Sequence, residues 1–187
     1  MVDFLPFCKQ FSPIEDEAAD ELVHLSKIKS FQKGELLLQS GKVCSHLFFL
    51  NEGFAKIFFV NDNKEFIMRF FPENVMFTAF ASYLTQTPSN YMIMALEPTT
   101  VTLIRRNDME DLCKRHHSME TFFRKLVSIA AVKMTKRISE MLEKNATTNY
   151  NLFVKENGEL LQKISLGDLA KYLGITQQSL SRIRTVK

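Results

Sequence analysis

No tryptophan occurs in these 187 residues, and glycine (6), proline (5) and cysteine (3) are all scarce. Each shortage excludes something. So few glycines and prolines, beside 17 phenylalanines, argue against a disordered chain. Cys8, Cys44 and Cys113 are an odd count without paired spacing, so no disulfide framework is expected. Three thiols cannot build a four-thiolate zinc or iron–sulfur site within one chain. Long apolar runs are missing as well. The most apolar helical stretch, Leu126 to Met134, is short and interrupted by Ser128 and Lys133, so no membrane span is expected. The opening "MVDFLPFCKQF" lacks the basic start and apolar run of a signal peptide, and the chain is read as cytoplasmic.

Catalytic signatures are equally thin. There is no glycine-rich phosphate loop, no nucleophile elbow and no metal-ligand spacing. His24, His46, His116 and His117 form no haem or metal set, and the carboxylates read as helix caps and surface charges. The expectation is a protein that is not an enzyme and holds no metal or cofactor.

What remains is an ordinary globular composition, 45% apolar and 24% charged, long enough to bury a sizeable core. Its net charge of +3 is unevenly spread. Residues 163–187 set Lys163, Lys171, Arg182, Arg184 and Lys187 against Asp168, a local +4, which leaves −1 on the remaining 162 residues. A near-neutral body with a basic tail suits a partner carrying phosphates.

The hydrophobic period changes twice. Ser12-Pro13 followed by Ile14, Ala18, Leu22 and Leu25 predicts a helix with acidic first turns. From Phe31, short apolar or alternating runs ("FQKGELLLQSG", "HLFFLNEGFAKIFFV", "KEFIMRFF") are punctuated by Gly34, Gly41, Gly53 and Asn61-Asp62-Asn63, which predicts antiparallel strands with tight turns. "NYMIMALE" and "TTVTLIRR" continue the pattern, giving a β sandwich or barrel. A long helical pattern then runs from about Asn107 to Asn145, with a break near His116-His117.

The second part of that helix carries two apolar stripes. One is Phe123, Val127, Ala130/Ala131, Met134, Ile138 and Met141; the other is Phe122, Leu126 and Ile129. Covering one domain needs a single stripe. The remaining stripe is expected to meet a copy of itself in a homodimer, with Phe123, Val127, Ala131, Met134, Ile138 and Met141 at the interface. The alternative is that both faces bury within one chain.

The closing segment, "LGDLAKYLGITQQSLSRIR", meets the requirements of a helix-turn-helix. Ser165 with Asp168 forms a capping box, so a helix should begin near Leu166. Gly174 suits a left-handed stop, and Thr176 can cap a second helix. Leu169, Ala170, Leu173, Gly174, Ile175, Leu180 and Ile183 fill the diagnostic positions. On the second helix, Gln177, Gln178, Ser181 and Arg182 occupy the face opposite Leu180 and Ile183. These side-chain types pair with base edges in the major groove. Ser179, Arg184 and the amides near Thr176 are expected to contact phosphates. A merely solvated face would carry Glu and Lys, yet this one has no acid.

These residues resemble the cyclic-AMP receptor protein/fumarate-nitrate regulator (Crp/Fnr) family of bacterial transcription regulators over nearly the whole chain. "KGELLLQSG" and "HLFFLNEGFAKIFF" are similar to its opening strands, "ALEPTTVTLIRR" to its closing strands, and "YLGITQQSLSRIR" to its recognition-helix signature. The resemblance implies an α+β chain in three parts: a cyclic-nucleotide-binding-type β jelly roll with an N-terminal helix over 1–115, a dimerisation helix over 116–145, and a helix-turn-helix DNA-binding domain over 146–187. It implies double-stranded DNA with a two-fold operator as partner, a homodimer, and RNA polymerase as a further partner. Gln177, Gln178, Ser181 and Arg182 become the base readers. Gln178 stands where many members have Glu, so the half-site is expected to differ.

Two departures follow. Cyclic-nucleotide binders use a Gly-Glu pair and an Arg-Ser/Thr pair for ribose and phosphate. Here no Gly and no Arg occur between Met76 and Leu96, and Ser89-Asn90 stand about where Arg-Ser would. A buried anion would lack a counter-charge, so the family's mode of cyclic AMP binding is not expected. Either the pocket takes an apolar or neutral effector, lined by Met76, Phe77, Phe80, Tyr83 and Tyr91, or those residues are core. The second departure is the wing that follows the recognition helix in the family; it is expected to be absent or truncated. The competing reading is a small-molecule-sensing or protein-interaction module with a vestigial helix-turn-helix.

Overall fold

The computed structural model describes residues 4–185. Lys187, counted above in the basic tail, lies outside them. Two helices, α1 (Leu5–Lys9) and α2 (Asp16–Leu25), precede the strands. Pro13 separates them, and α2 buries Ala18, Ala19 and Leu22 while Asp16 and Glu17 face its positive N-terminal end.

Eight strands follow: β1 (Lys27–Phe31), β2 (Leu36–Leu38), β3 (His46–Glu52), β4 (Ala55–Asn61), β5 (Lys64–Phe71), β6 (Val75–Phe77), β7 (Met92–Ala95) and β8 (Thr99–Arg105). They form two four-stranded antiparallel sheets, ordered β1-β8-β3-β6 and β2-β7-β4-β5, the jelly-roll arrangement expected above. Asp62 and Asn63 both take positive φ (49° and 59°) in the β4–β5 hairpin, as a two-residue turn demands. A short helix, α3 (Phe80–Thr85), fills the irregular segment between β6 and β7.

The sheet begins earlier than the sequence suggests. β1 starts at Lys27, although "KIKSF" shows no inward-facing apolar alternation. It is an edge strand, and only Phe31 of its five residues is buried.

The long helical pattern divides at His116, whose extended backbone (φ −125°, ψ 114°) separates α4 (Arg106–Arg115) from α5 (His117–Glu143). Beyond it come α6 (Ala146–Asn157), a 3₁₀ turn (Gly158–Gln162), α7 (Leu166–Leu173) and α8 (Gln177–Thr185). Asn145 caps α6 by accepting the Thr148 N–H at 2.9 Å. Among the described residues no helix is long and apolar enough to cross a membrane.

Two apolar cores result. The larger packs the inner faces of the sheets with α2, α4 and the start of α5, through residues such as Leu22, Leu47, Phe49, Ile104, Leu112 and Phe122. The second lies on the outer face of the β4–β5 sheet. There Phe54, Phe58, Ile67 and Phe70 meet Tyr150, Phe153, Leu160, Ile164, Leu169, Ala170 and Leu180 of the closing helices. The Phe70-Phe71 pair makes β5 apolar on both faces for this reason: Phe71 points into the first core and Phe70 into the second.

Candidate nucleic-acid interface

α7 begins at Leu166, where the capping box predicts it. Ser165 Oγ accepts the Asp168 N–H at 3.0 Å and donates to the Asp168 carboxylate at 3.0 Å. Gly174 ends the helix in the left-handed conformation (φ 70°, ψ 28°), which lets the chain turn sharply into α8. Thr176 Oγ1 accepts the Ser179 N–H at 3.1 Å and shares a 2.9 Å hydrogen bond with the Ser179 hydroxyl, so both residues work first as the cap of α8.

Of the seven diagnostic positions, Leu169, Ala170 and Leu180 are fully buried, and Leu173, Ile175 and Ile183 pack against them. With its inner face locked this way, α8 presents the opposite face to solvent. Thr176, Gln177, Gln178, Ser179, Ser181, Arg182 and Arg184 are all exposed. The Gln177 amide lies over Gly167 in the first turn of α7, so close that a side chain at Gly167 would displace it. The exposed face carries two glutamines, three hydroxyl residues and two arginines, and no acid. It is a donor-rich surface on a narrow rod.

Polar contacts hold the helix pair to the roll. Lys56, on β4 and only 5% exposed, places its ammonium 2.6 Å from Glu65 of β5 and 2.9 Å from Asp168 of α7. Lys171 pairs with Glu65 at 3.2 Å, and Lys163 with Glu97 at 2.8 Å. Arg137 of α5 donates to the Tyr172 carbonyl and stacks its guanidinium 3.8 Å from the Tyr172 ring centre. Of these anchoring residues the sequence pointed to Lys163 and Lys171 as basic-tail charges and to Asp168 as their one acid and as a cap, whereas Lys56, Glu65, Glu97, Arg137 and Tyr172 were not singled out. The available signal was Lys56 itself, a cation in the middle of the apolar run "GFAKIFFV".

The two stripes of α5 part company. Phe122 and Leu126 are buried on the roll, whereas Met134, Ile138 and Met141 remain about half exposed, as does Ile129. Phe123 and Val127 are half-buried and Ala131 is exposed. Val132 and Leu142 extend the uncovered apolar surface.

Comparison with known proteins adds to this geometry. The family model for the cyclic nucleotide-binding domain matches residues 28–116. No curated protein matches the chain in sequence. Among solved structures, FixK2 from Bradyrhizobium japonicum shares 17% identity, with 86% of this chain and 83% of that one covered at a TM-score of 0.73. A regulator assigned to the crp/fnr family from Eubacterium rectale shares 14% identity, with 98% and 86% covered and a TM-score of 0.75. A CooA mutant from Carboxydothermus hydrogenoformans shares 14%, covering 93% and 85% at 0.71. Residues 28–116 are thus similar to a cyclic nucleotide-binding domain, and the chain shares its fold with these solved regulators.

Within the matched stretch, residues 76–96 contain no charged side chain of either sign. Their polar groups are spent on one another. Ser82 Oγ accepts the Cys44 N–H and donates to the Thr87 carbonyl, at 2.9 and 2.6 Å. Gln86, left-handed at φ 55°, donates its side-chain amide to the Tyr83 carbonyl at 2.8 Å. Ser89 is buried, bonded to Tyr91 through both its hydroxyl donor and its acceptor, and its backbone is held by Gly41 and Lys42. A phosphate placed here would meet no cation from this segment.

The five residues considered as a pocket lining do not face one space. Met76, Phe77 and Tyr83 belong to the main core, with Phe77 stacked on Phe71 at 4.2 Å and Tyr83 against Phe123. Tyr91 instead packs edge-on to Phe59, and Phe80 is half-buried. Burial holds the Tyr83 phenol far above its usual range, and its hydroxyl has no hydrogen-bond partner. Among the described residues no group of three His, Cys, Asp or Glu could hold a metal ion.

Proposed function

We propose that the protein is a sequence-specific DNA-binding transcription regulator of the Crp/Fnr type. It acts in the cytoplasm as a homodimer on a two-fold operator, with an effector other than cyclic AMP. One observation carries this reading: Gln177, Gln178, Ser181 and Arg182 stand together on the exposed face of α8, whose other face is locked by Leu180 and Ile183. Arg pairs with guanine O6 and N7, Gln with adenine N6 and N7, and Ser with either. Ser179, Arg184 and the N-terminal amides near Thr176 would contact phosphates.

The stripe that runs from half-buried Phe123 and Val127 to the exposed Met134, Ile138 and Met141 supplies the dimer surface, and pairing two copies along it would set two α8 rods for successive major grooves. RNA polymerase enters the proposal from the likeness to transcription regulators alone. The charge-free segment at 76–96, with its hydroxyls internally bonded, supports an effector unlike a cyclic nucleotide.

Fluorescence anisotropy with labelled duplexes from the upstream region of its own operon, against scrambled duplexes, tests the reading. Affinity should fall steeply with salt, with a slope set by the phosphates neutralised. Arg182→Ala should cost about 1–3 kcal/mol and relax preference at one base pair. Equal affinity for every duplex, or no binding at low salt, overturns it.

A further inference from the structure

A cavity of about 330 Å³ opens where β5, the second half of α5, α6 and the 3₁₀ turn converge. That volume is at the lower end of what small-molecule sites occupy. It is separate from residues 76–96 and from the exposed face of α8. Its floor is apolar, formed by Met68, Phe70, Phe153 and Leu160.

Its charges are unusual. Arg69, Lys133 and Arg137 all line it, and among the described residues none of the three is ion-paired with a carboxylate. Lys136, also in the lining, is already matched, 2.7 Å from Glu156 and 3.7 Å from Glu140. Glu159, the remaining acid, is exposed. Arg137 is committed on one side, through Tyr172, but its Nε is buried with no partner. Burial holds the Arg69 guanidinium below its ordinary range; Lys133, an exposed residue, is lowered by partial desolvation of its ammonium together with the Arg69 charge. Arg69 and Lys133 therefore line one cavity as like charges that, among the described residues, pair with no carboxylate, a costly arrangement that an anion would relieve.

The backbone is shaped to the same end. Arg69 pairs with Ile57 but the next pair is Ile67 with Phe58, so Met68 is an extra residue in the edge strand β5. Consecutive strand residues normally alternate faces, yet Met68, Arg69 and Phe70 all reach this cavity. Bulges of this kind re-aim side chains beside sites. On α5, Lys133, Lys136, Arg137 and Glu140 share one face by their spacing, turned away from the uncovered Met134–Ile138–Met141 stripe.

We propose that this cavity binds a small ligand with one phosphate or carboxylate group and an apolar, ring-sized body. Arg69, Lys133 and the free Nε of Arg137 hold the anion, and Phe70 and Phe153 hold the body. Because its walls come from both the roll and the closing helices, occupancy fastens one to the other. The proposal is independent of the DNA-binding reading.

The test is calorimetric titration and thermal unfolding of the full chain with phenyl phosphate at constant ionic strength. Inorganic phosphate and phenol serve as its two halves. Phenyl phosphate should bind saturably and raise the unfolding temperature, inorganic phosphate should bind about tenfold more weakly, and phenol should not register. Arg69→Gln and Lys133→Gln should each weaken phenyl phosphate about tenfold, while Arg105→Gln, an exposed cation on β8, should leave it unchanged. Lys133 is exposed, so its substitution leaves the packing intact even if Arg69→Gln does not fold. No saturable binding up to about 10 mM, or equal effects in all three variants, overturns the site. It is also overturned if Lys133→Gln weakens only duplex DNA, which would make these cations backbone contacts.

Discussion

Replacing Lys56 with methionine keeps the length and apolar body of the side chain beside Phe58 and removes only the ammonium, which lies 5.0 Å from that ring. What is left behind is two carboxylates, Glu65 and Asp168, that had converged on it at 2.6 and 2.9 Å. Removing one member of a buried ion pair costs about 3–5 kcal/mol. Here the carboxylates keep 22% and 18% of their side-chain exposure, and Lys171 still stands 3.2 Å from Glu65. Partial solvation and that remaining cation bring the expected loss to about 2–3 kcal/mol. For a chain of this size that lowers the unfolding temperature by about 5–10 °C. Calorimetry of Lys56→Met, Asp168→Asn and the double variant checks it. The double variant should be more stable than the sum of the singles by about 1 kcal/mol, because the second change removes a stranded carboxylate. A shift under about 2 °C, with no coupling to Asp168, would refute the view that this buried triad fastens α7 to β4.

Two further outcomes follow from local geometry. A Cβ at Gly53 (φ 102°) would lie 2.5 Å from the Pro98 carbonyl oxygen and 2.8 Å from Thr99 Cα, whereas Gly34 (φ 86°) has open space around it. Gly34→Ala should therefore cost only the left-handed penalty of about 1–2 kcal/mol in chemical denaturation, and Gly53→Ala clearly more; equal costs would show that the backbone clash is absent. Tyr83→Phe removes a buried hydroxyl without a partner, so it should raise stability by about 1 kcal/mol, and a loss of that size would mean that the hydroxyl is satisfied in solution.

The helix-turn-helix was legible almost residue by residue, because its signals are local: a capping box at Ser165, a left-handed glycine at Gly174 and apolar residues at helical spacing. The strands were legible where alternation was strong. β1 was not, since an edge strand with four exposed residues has no pattern to show. The docking of the closing helices escaped for a different reason. Lys56 and Asp168 are 112 positions apart, and nothing in either neighbourhood announces the other. Asp168 already had a sufficient local explanation as a cap, which hid its second role. The α5 stripes were visible as two, but only the packed chain shows that Phe122 and Leu126 turn inward while Met134 and Ile138 do not.

The second core also explains why the exposed face of α8 can be rigid. The closing helices span about 40 residues, near the size below which a domain needs outside support to fold. They obtain it from β4 and β5: Leu180, which orients α8, is wholly buried in a cluster that includes Phe58, Ile67 and Phe70 of the roll. Severed from those strands, α8 would lose the packing that fixes which of its faces points outward. The exposed glutamines and Arg182 are therefore aimed from the roll as much as from the turn at Gly174. A polar substitution at Phe58 or Phe70, far in sequence from any exposed residue of α8, would loosen that aim before it unfolded the larger core.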